Sequence, residues 1–149
     1  MLGQLNEQQS FNLLTSQALG RLGCTDGRFP YVVPVTYHYD GEYIYGQTNE
    51  GSKLSMLRLN PNVCFEVDSM TDMANWQSVI VTGKFEELHN GDASRASEKL
   101  FRSLFTLMTS RTIHPHEHEV ATLLEDQSRI KRVMYRIKVE SITGRFEKQ

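Results

Sequence analysis

The chain has 149 residues, enough for a single domain over residues 1–149 with a buried core of its own. Its formal net charge of −2 predicts no surface for nucleic acid. No apolar run predicts a membrane span or a signal peptide, and Cys24 and Cys64 match no disulfide or metal motif, so we expect a cytoplasmic protein with reduced cysteines.

The first third of the chain predicts one helix followed by strands. Apolar residues spaced among polar ones favour a helix, whereas β-branched and aromatic runs favour strands. Asp40-Gly41 between two such runs is a strong hairpin signal. The predicted elements are a helix over Glu7–Gln17 and strands over Gly20–Thr25, Tyr31–Tyr39 and Glu42–Gly46.

Pro34 lies inside the first arm of this hairpin. Proline cannot donate to a sheet ladder, so the position belongs to an edge strand or a bulge. Two interpretations stay open: a plain edge strand, or an opening in the sheet that leaves backbone groups free for a ligand.

The rest of the chain predicts two further helices and three strands. Gly83 indicates a bulge in the second of these strands, and Asp92 is the expected N-cap of the long helix. That helix is expected to bury Leu100, Phe101, Leu104, Phe105 and Met108. The predicted elements are Gly51–Leu59 (helix, Leu54 and Leu57 inward), Asn62–Asp68 (strand), Ser69–Asn75 (loop), Trp76–Glu86 (strand), Ala93–Met108 (helix) and Val133–Phe146 (strand). About six strands with few helices predict a mainly β fold, a small antiparallel barrel.

Lys53 is the first candidate site residue. It follows a polar turn, Gln47–Gly51, and lies in the first turn of a predicted helix, where a positive charge is unfavourable unless an anion is bound. With Ser52 it predicts a phosphate site at the helix N-terminus. Arg58 could add charge there or face solvent, and Lys53 itself could be an ordinary surface lysine.

Two further candidates are Trp76 and a histidine-rich segment. Trp76, close to Ser78, suits either a core or interface anchor or the neighbour of a planar cofactor. His114, His116 and His118 could bind a metal or haem, or form an exposed polar loop, and no second set of ligands supports a metal. No nucleophile elbow, Rossmann or Walker motif is present in the sequence.

Taken in order, several segments resemble the pyridoxamine 5′-phosphate oxidase-like FMN-binding split barrels, and among them the branch of the nitroimidazole-resistance proteins. The segments that carry the resemblance are Gly20-Arg21-Leu22, Pro30–Val35, Ile44-Tyr45, Gly51–Leu54, Asn60–Asp68, Trp76–Gly83 and Ile142–Arg145. They span nearly the whole chain. The resemblance implies a six-stranded antiparallel split β-barrel, mainly β with a few helices.

The resemblance also implies a homodimer that holds FMN between its subunits and acts on a small-molecule substrate. It implies that Pro34, Val35, Thr36 and Tyr37 lie near the isoalloxazine ring, that Ser52 and Lys53 contact the phosphate, and that Trp76, Ser78 and Val79 come from the partner subunit. Gln47, Thr48 and Leu54 complete the expected cofactor contacts. Because the flavin carries the chemistry, no catalytic side chain is expected.

Two departures bear on the activity. The histidine typical of the nitroimidazole-resistance branch would align with Gly46 or Gln47, and neither is a histidine. Of the C-terminal basic residues expected for pyridoxamine phosphate, Arg145 alone stands in a recognisable motif. The sequence therefore predicts an FMN-dependent oxidoreductase of unspecified substrate. The alternatives are a flavin-storing module without turnover and a haem- or metal-binding protein on the same barrel.

Overall fold

The computed structural model describes residues 1–110 and 131–149. In these ranges the chain forms three helices and eight strands. The helices are α1 (Glu7–Ser16), α2 (Ser52–Leu59) and α3 (Asn90–Ser110). The strands are β1 (Leu2–Gln4), β2 (Leu19–Thr25), β3 (Pro30–Thr36), β4 (His38–Tyr39), β5 (Tyr43–Asn49), β6 (Asn62–Asp72), β7 (Asn75–Glu87) and β8 (Arg132–Glu147).

The strands form one antiparallel sheet in the order β3-β2-β6-β7-β8-β5-β4, with β1 also paired to β8. The two ends of this order, β3 and β4, are successive parts of one extended run, so the sheet curls back on itself as a split barrel. The register of β7 against β8 shifts between Thr82 and Gly83, which confirms the predicted bulge. A side chain at Gly83 would meet the backbone carbonyl of Lys138, so only glycine fits there.

The barrel interior is filled by alternate residues of the strands and by one face of two helices. Leu54 and Leu57 of α2 are fully buried, as predicted. A second, smaller cluster forms where Leu100 of α3 packs near Tyr45 and Met134 on the outside of β5 and β8. The described side chains of the long helix therefore pack on the outside of the barrel, and none of them belongs to its main core.

Some sequence predictions of element bounds were wrong. The expected strand Tyr31–Tyr39 is divided at Tyr37 into β3 and β4. The expected loop Ser69–Asn75 is mostly strand, because β6 runs to Asp72 and the β6–β7 hairpin extends beyond the core, where polar residues are as acceptable as apolar ones. In α3, Asp92 lies in the first turn of a helix that begins at Asn90, so it is not the N-cap.

Two predictions about side chains also need comment. Phe105 was expected in the buried stripe of α3 but is 57% exposed. His114, His116 and His118 lie outside the described residues. In the described part of the chain, no helix has the length and apolar character needed to cross a membrane.

Candidate functional site

The barrel opens where β3 and β4 part. β3 pairs with β2, but after Tyr37 the same run changes partner and β4 pairs with β5. Tyr37 anchors this crossing point: its side chain is buried, its hydroxyl donates to the carbonyl of Leu14 at 2.6 Å, and its ring meets Phe65 edge-on. On the β3 side of Tyr37, β3 lies beside β5, and no hydrogen-bonded ladder joins these two strands in the described structure.

Some of the backbone N–H and C=O groups of β3 face this opening. In an antiparallel ladder, residues that bond to the neighbouring strand alternate with residues that face away from it. The N–H of Tyr37 donates to the carbonyl of Ala18 at 3.1 Å, so Val35 is also directed at β2. Thr36 and Pro34 therefore face away from β2. Pro34 occupies an outward position on an edge strand, where its missing N–H breaks no ladder bond, as predicted.

Backbone groups of β5 also face the opening, from the opposite side. The N–H of Glu50 donates to the carbonyl of Lys131 at 3.5 Å, and the alternation directs Thr48 at β8 and Gln47 away from it. The β4–β5 ladder contains His38 opposite Tyr45, and its next bonding pair would be Thr36 with Gln47. The split leaves that pair unmade, so the backbone N–H and C=O groups of both residues face the gap.

The gap is the bottom of a groove of about 640 Å³, here named the β3–β5 groove. It brings together seven of the twelve residues predicted to bind a cofactor: Pro34, Val35, Thr36, Gln47, Thr48, Ser52 and Lys53. Leu19, Asn49, Gly51 and Arg132 complete its lining.

One end of the groove has groups that favour an anion. The N-terminus of α2 has Gly51 as its N-cap, without a side-chain hydrogen bond, and its first turn contains no acidic residue. Lys53 is half-buried there, and desolvation lowers its pKa. No ion pair joins it to a carboxylate of the described residues. Free N–H groups and a partly desolvated ammonium group together favour a bound phosphate or carboxylate.

Sequence reasoning missed Arg132 at the same end of the groove. Its guanidinium donates to Oε1 of Gln47 at 3.2 Å, and its backbone lies opposite Asn49 in the β5–β8 register. No local motif marks this arginine, and only the strand pairing brings it next to residues more than eighty positions away.

Arg58 forms ion pairs away from the groove. Its guanidinium contacts Glu50 at 3.1 Å and Glu87 at 2.7 Å. The hydrogen bonds that Arg58 donates to Glu87 hold the pKa of that carboxyl below its usual range. Of the two alternatives for Arg58, the structure therefore favours a position outside the phosphate site, because its guanidinium already donates four hydrogen bonds to these two carboxylates.

The other predicted residues lie elsewhere in the structure. Tyr37, Leu54 and Val79 have side chains in the core, so they support the site without lining the groove. Ser78 is on β7 and donates to Oε1 of Glu66 at 3.4 Å. Trp76 lines a separate groove of about 730 Å³ beside α1 and the chain ends, here named the Trp76 groove.

Gly46 and Gln47, the two positions at which the resemblance would place a histidine, differ in their surroundings. A side chain at Gly46 would collide with the ring of the fully buried Tyr135, so no histidine fits there. Gln47, the other position at which the resemblance would place a histidine, lines the groove and accepts a hydrogen bond from Arg132. In the described residues, no group of three or more histidine, cysteine or acidic side chains is arranged to hold a metal ion.

Comparison with solved structures identifies several with the same fold. A FAD-binding protein from Mesorhizobium loti is 26% identical, with 98% of each chain covered and a TM-score of 0.74. The FAD-binding protein of Mycobacterium smegmatis is 24% identical over 99% of this chain and 100% of that one, with a TM-score of 0.68. A candidate 5-nitroimidazole antibiotic resistance protein from Bacteroides thetaiotaomicron is 20% identical over 98% of this chain and 87% of that one, with a TM-score of 0.72.

Sequence comparison gives two further findings. An 84-residue stretch is 31% identical to the uncharacterized protein RA0666 of Rhizobium meliloti, covering 56% of each protein, so the chain matches about half the length of that relative. The family model described as pyridoxamine 5′-phosphate oxidase matches residues 6–146. With nearly its whole length matched by that model and its split-barrel fold shared with these structures, the chain belongs to the pyridoxamine 5′-phosphate oxidase family.

Proposed function

We propose that the protein is a flavin-dependent oxidoreductase that binds FMN in the β3–β5 groove, with the phosphate at Ser52 and Lys53. The observation that carries this proposal is Lys53 itself. It is a half-buried cation without a described carboxylate partner, and it lies at a helix N-terminus whose N-cap supplies no side-chain hydrogen bond, at the end of a groove with free backbone edges. The Mesorhizobium and Mycobacterium structures named as FAD-binding support the flavin class.

The groove suits both ends of FMN. At one end, the N–H groups of α2, the ammonium group of Lys53 and the nearby guanidinium of Arg132 favour a phosphate. Along the bottom of the groove, the outward backbone groups of Thr36 and Gln47 can hydrogen-bond the donors and acceptors along the edge of a planar ring. A single cationic end fits one phosphate, so FMN is preferred over FAD.

The protein's part in the reaction is binding and orientation. Bound flavin supplies hydride or electron transfer. Pro34, Val35 and Thr36 would hold the plane of the ring against β3, and Tyr37 would keep that strand in place through its bond to Leu14. No side chain of the groove is assigned as an acid or base, and the substrate is a small molecule that reaches the open face.

We propose that the working unit is a homodimer. Trp76 and Ser78 do not line the groove of their own protomer, which agrees with the expectation that they approach the flavin bound by a partner. Val79 is fully buried in its own core, so its side chain is left out of that contact.

Both cysteines are free thiols, which supports the expected cytoplasmic location.

The test is to purify the protein, record its visible spectrum, and identify any chromophore released by heat. We expect a yellow protein that releases about one FMN per chain. Anaerobic reduction by NADH or NADPH, followed by reoxidation, then separates an oxidoreductase from a flavin-storing module, which would bind without turning over. A colourless protein that ignores added FMN, or a haem spectrum, would contradict the proposal.

A further inference from the structure

We propose that Arg58 is a positioning residue that keeps the carboxylate of Glu50 out of the phosphate end of the β3–β5 groove. This inference rests on the proposed function, because it concerns the same anion site. It assigns a role in cofactor binding to an ion-pair cluster, Arg58 with Glu50 and Glu87, none of which lines the groove.

The cluster is a guanidinium held between two carboxylates. Nε and one terminal nitrogen of Arg58 contact Glu87 at 2.9 and 2.7 Å, while both terminal nitrogens contact Glu50 at 3.3 and 3.1 Å. Arg58 lies in the last turn of α2. Glu50 is therefore drawn toward the C-terminal end of the helix that it precedes, and Glu87 on β7 fixes the guanidinium in that place.

Without this restraint, Glu50 would be an internal competitor for the anion site. It stands immediately before the N-cap Gly51, and its backbone N–H bonds to the carbonyl of Lys131, next to Arg132. Helix N-termini attract carboxylates, and Lys53 is only three positions along the chain. A released Glu50 side chain can thus approach the same N–H groups and cations that the phosphate needs.

Arg58 is not itself a phosphate ligand in this arrangement. Its donors are shared between Glu50 and Glu87, and it does not line the β3–β5 groove. A guanidinium already paired with two carboxylates has little net charge left to offer a phosphate. Its effect on the site is indirect, because it acts through the carboxylate of Glu50. A second substitution, at Glu50, can therefore separate this effect from others.

The experiment measures FMN and riboflavin affinities, by quenching of flavin fluorescence, for wild type, R58A, E50Q and the double variant R58A/E50Q. Riboflavin lacks the phosphate and so reports the ring site alone. We expect R58A to raise the FMN dissociation constant on the order of five-fold while leaving riboflavin unchanged. E50Q alone should stay within about two-fold of wild type, and the double variant should recover wild-type FMN affinity.

The matched control is R102A, which breaks an arginine–glutamate pair on α3 that does not line the groove and should change neither affinity. R58K serves if R58A unfolds, since lysine keeps the charge but cannot span both carboxylates. Unchanged FMN affinity in R58A, an equal loss for riboflavin, or no rescue by E50Q would each overturn the inference. A wild-type protein that binds neither flavin would overturn the proposed function, and this inference with it.

Discussion

Thr36 and Gln47 occupy the rung at which the β4–β5 ladder would continue but does not. Because β3 turns to β2 instead, the backbone groups of these two residues face each other across the groove. The opening in the barrel is thus a consequence of one strand changing partner at Tyr37. A sheet that pairs fully at this point would have no groove.

The direction of the Thr36 N–H can be tested by removing it. Thr36→Pro deletes a donor that faces the groove, so we expect weaker binding of both FMN and riboflavin, with the free energy of unfolding lowered by less than about 1 kcal/mol. Val33→Pro deletes a donor that the alternation directs at β2, and it should cost about 1–3 kcal/mol. Flavin titration and denaturant unfolding measure the two effects, and equal destabilisation by both variants would contradict the derived register.

Lys53 should contribute to phosphate binding and little to ring binding. Lys53→Glu replaces a charge-assisted contact by repulsion, and we expect FMN affinity to fall at least about tenfold, or about 1.4 kcal/mol, with a small effect on riboflavin. Lys138→Glu changes an exposed lysine on β8 and is the control. If both substitutions had the same effect on FMN, a general charge effect would explain the result and the site would be wrong.

Trp76 tests the proposed dimer. The chain mass is 17.1 kDa, so light scattering of the wild type should report about twice that value. Trp76→Ala should shift the mass toward the monomer, weaken FMN binding, or do both, because a large aromatic contact is lost. Phe29→Ala alters another aromatic, 68% exposed on the β2–β3 turn, and should do neither. Normal mass and affinity for the Trp76 variant would remove this residue from the interface.

Glu66 should make stability depend on pH. Burial, and then the adjacent Asp68, raise the pKa of Glu66 to about 7 from its usual 4.5, partly offset by Arg21 and the hydroxyl of Ser78. The folded state therefore binds more protons than the unfolded state between these values, so stability falls as pH rises from about 4.5 to about 7.

Glu66→Gln should remove that fall. Because the group is partly exposed, we expect the variant to gain about 1 kcal/mol or less at pH 8 relative to pH 5, measured by urea unfolding at both values. Glu140→Gln, at an exposed position on β8, is the control. A variant whose stability relative to wild type is the same at both pH values would contradict the assignment.

Local chemistry explains what could be predicted from the sequence. Lys53 and Pro34 stand out because each breaks a local rule, Ser52 adjoins Lys53, and the structure brings all three to one groove. Arg132 and the Thr36–Gln47 gap depend on strand register, which no local pattern encodes. The sequence predicts a loop for the outer half of the β6–β7 hairpin, because residues such as Ser69 and Asp72 are exposed there and give no strand pattern of buried positions. The single-domain organisation stays a prediction.

We propose that the β3–β5 groove binds a flavin through its phosphate. The sharpest test is to titrate the apoprotein with FMN and with riboflavin under the same conditions. We predict about one FMN per chain, bound at least about tenfold more tightly than riboflavin, since only FMN reaches the anion end. No FMN binding, or equal affinities for the two flavins, would contradict it.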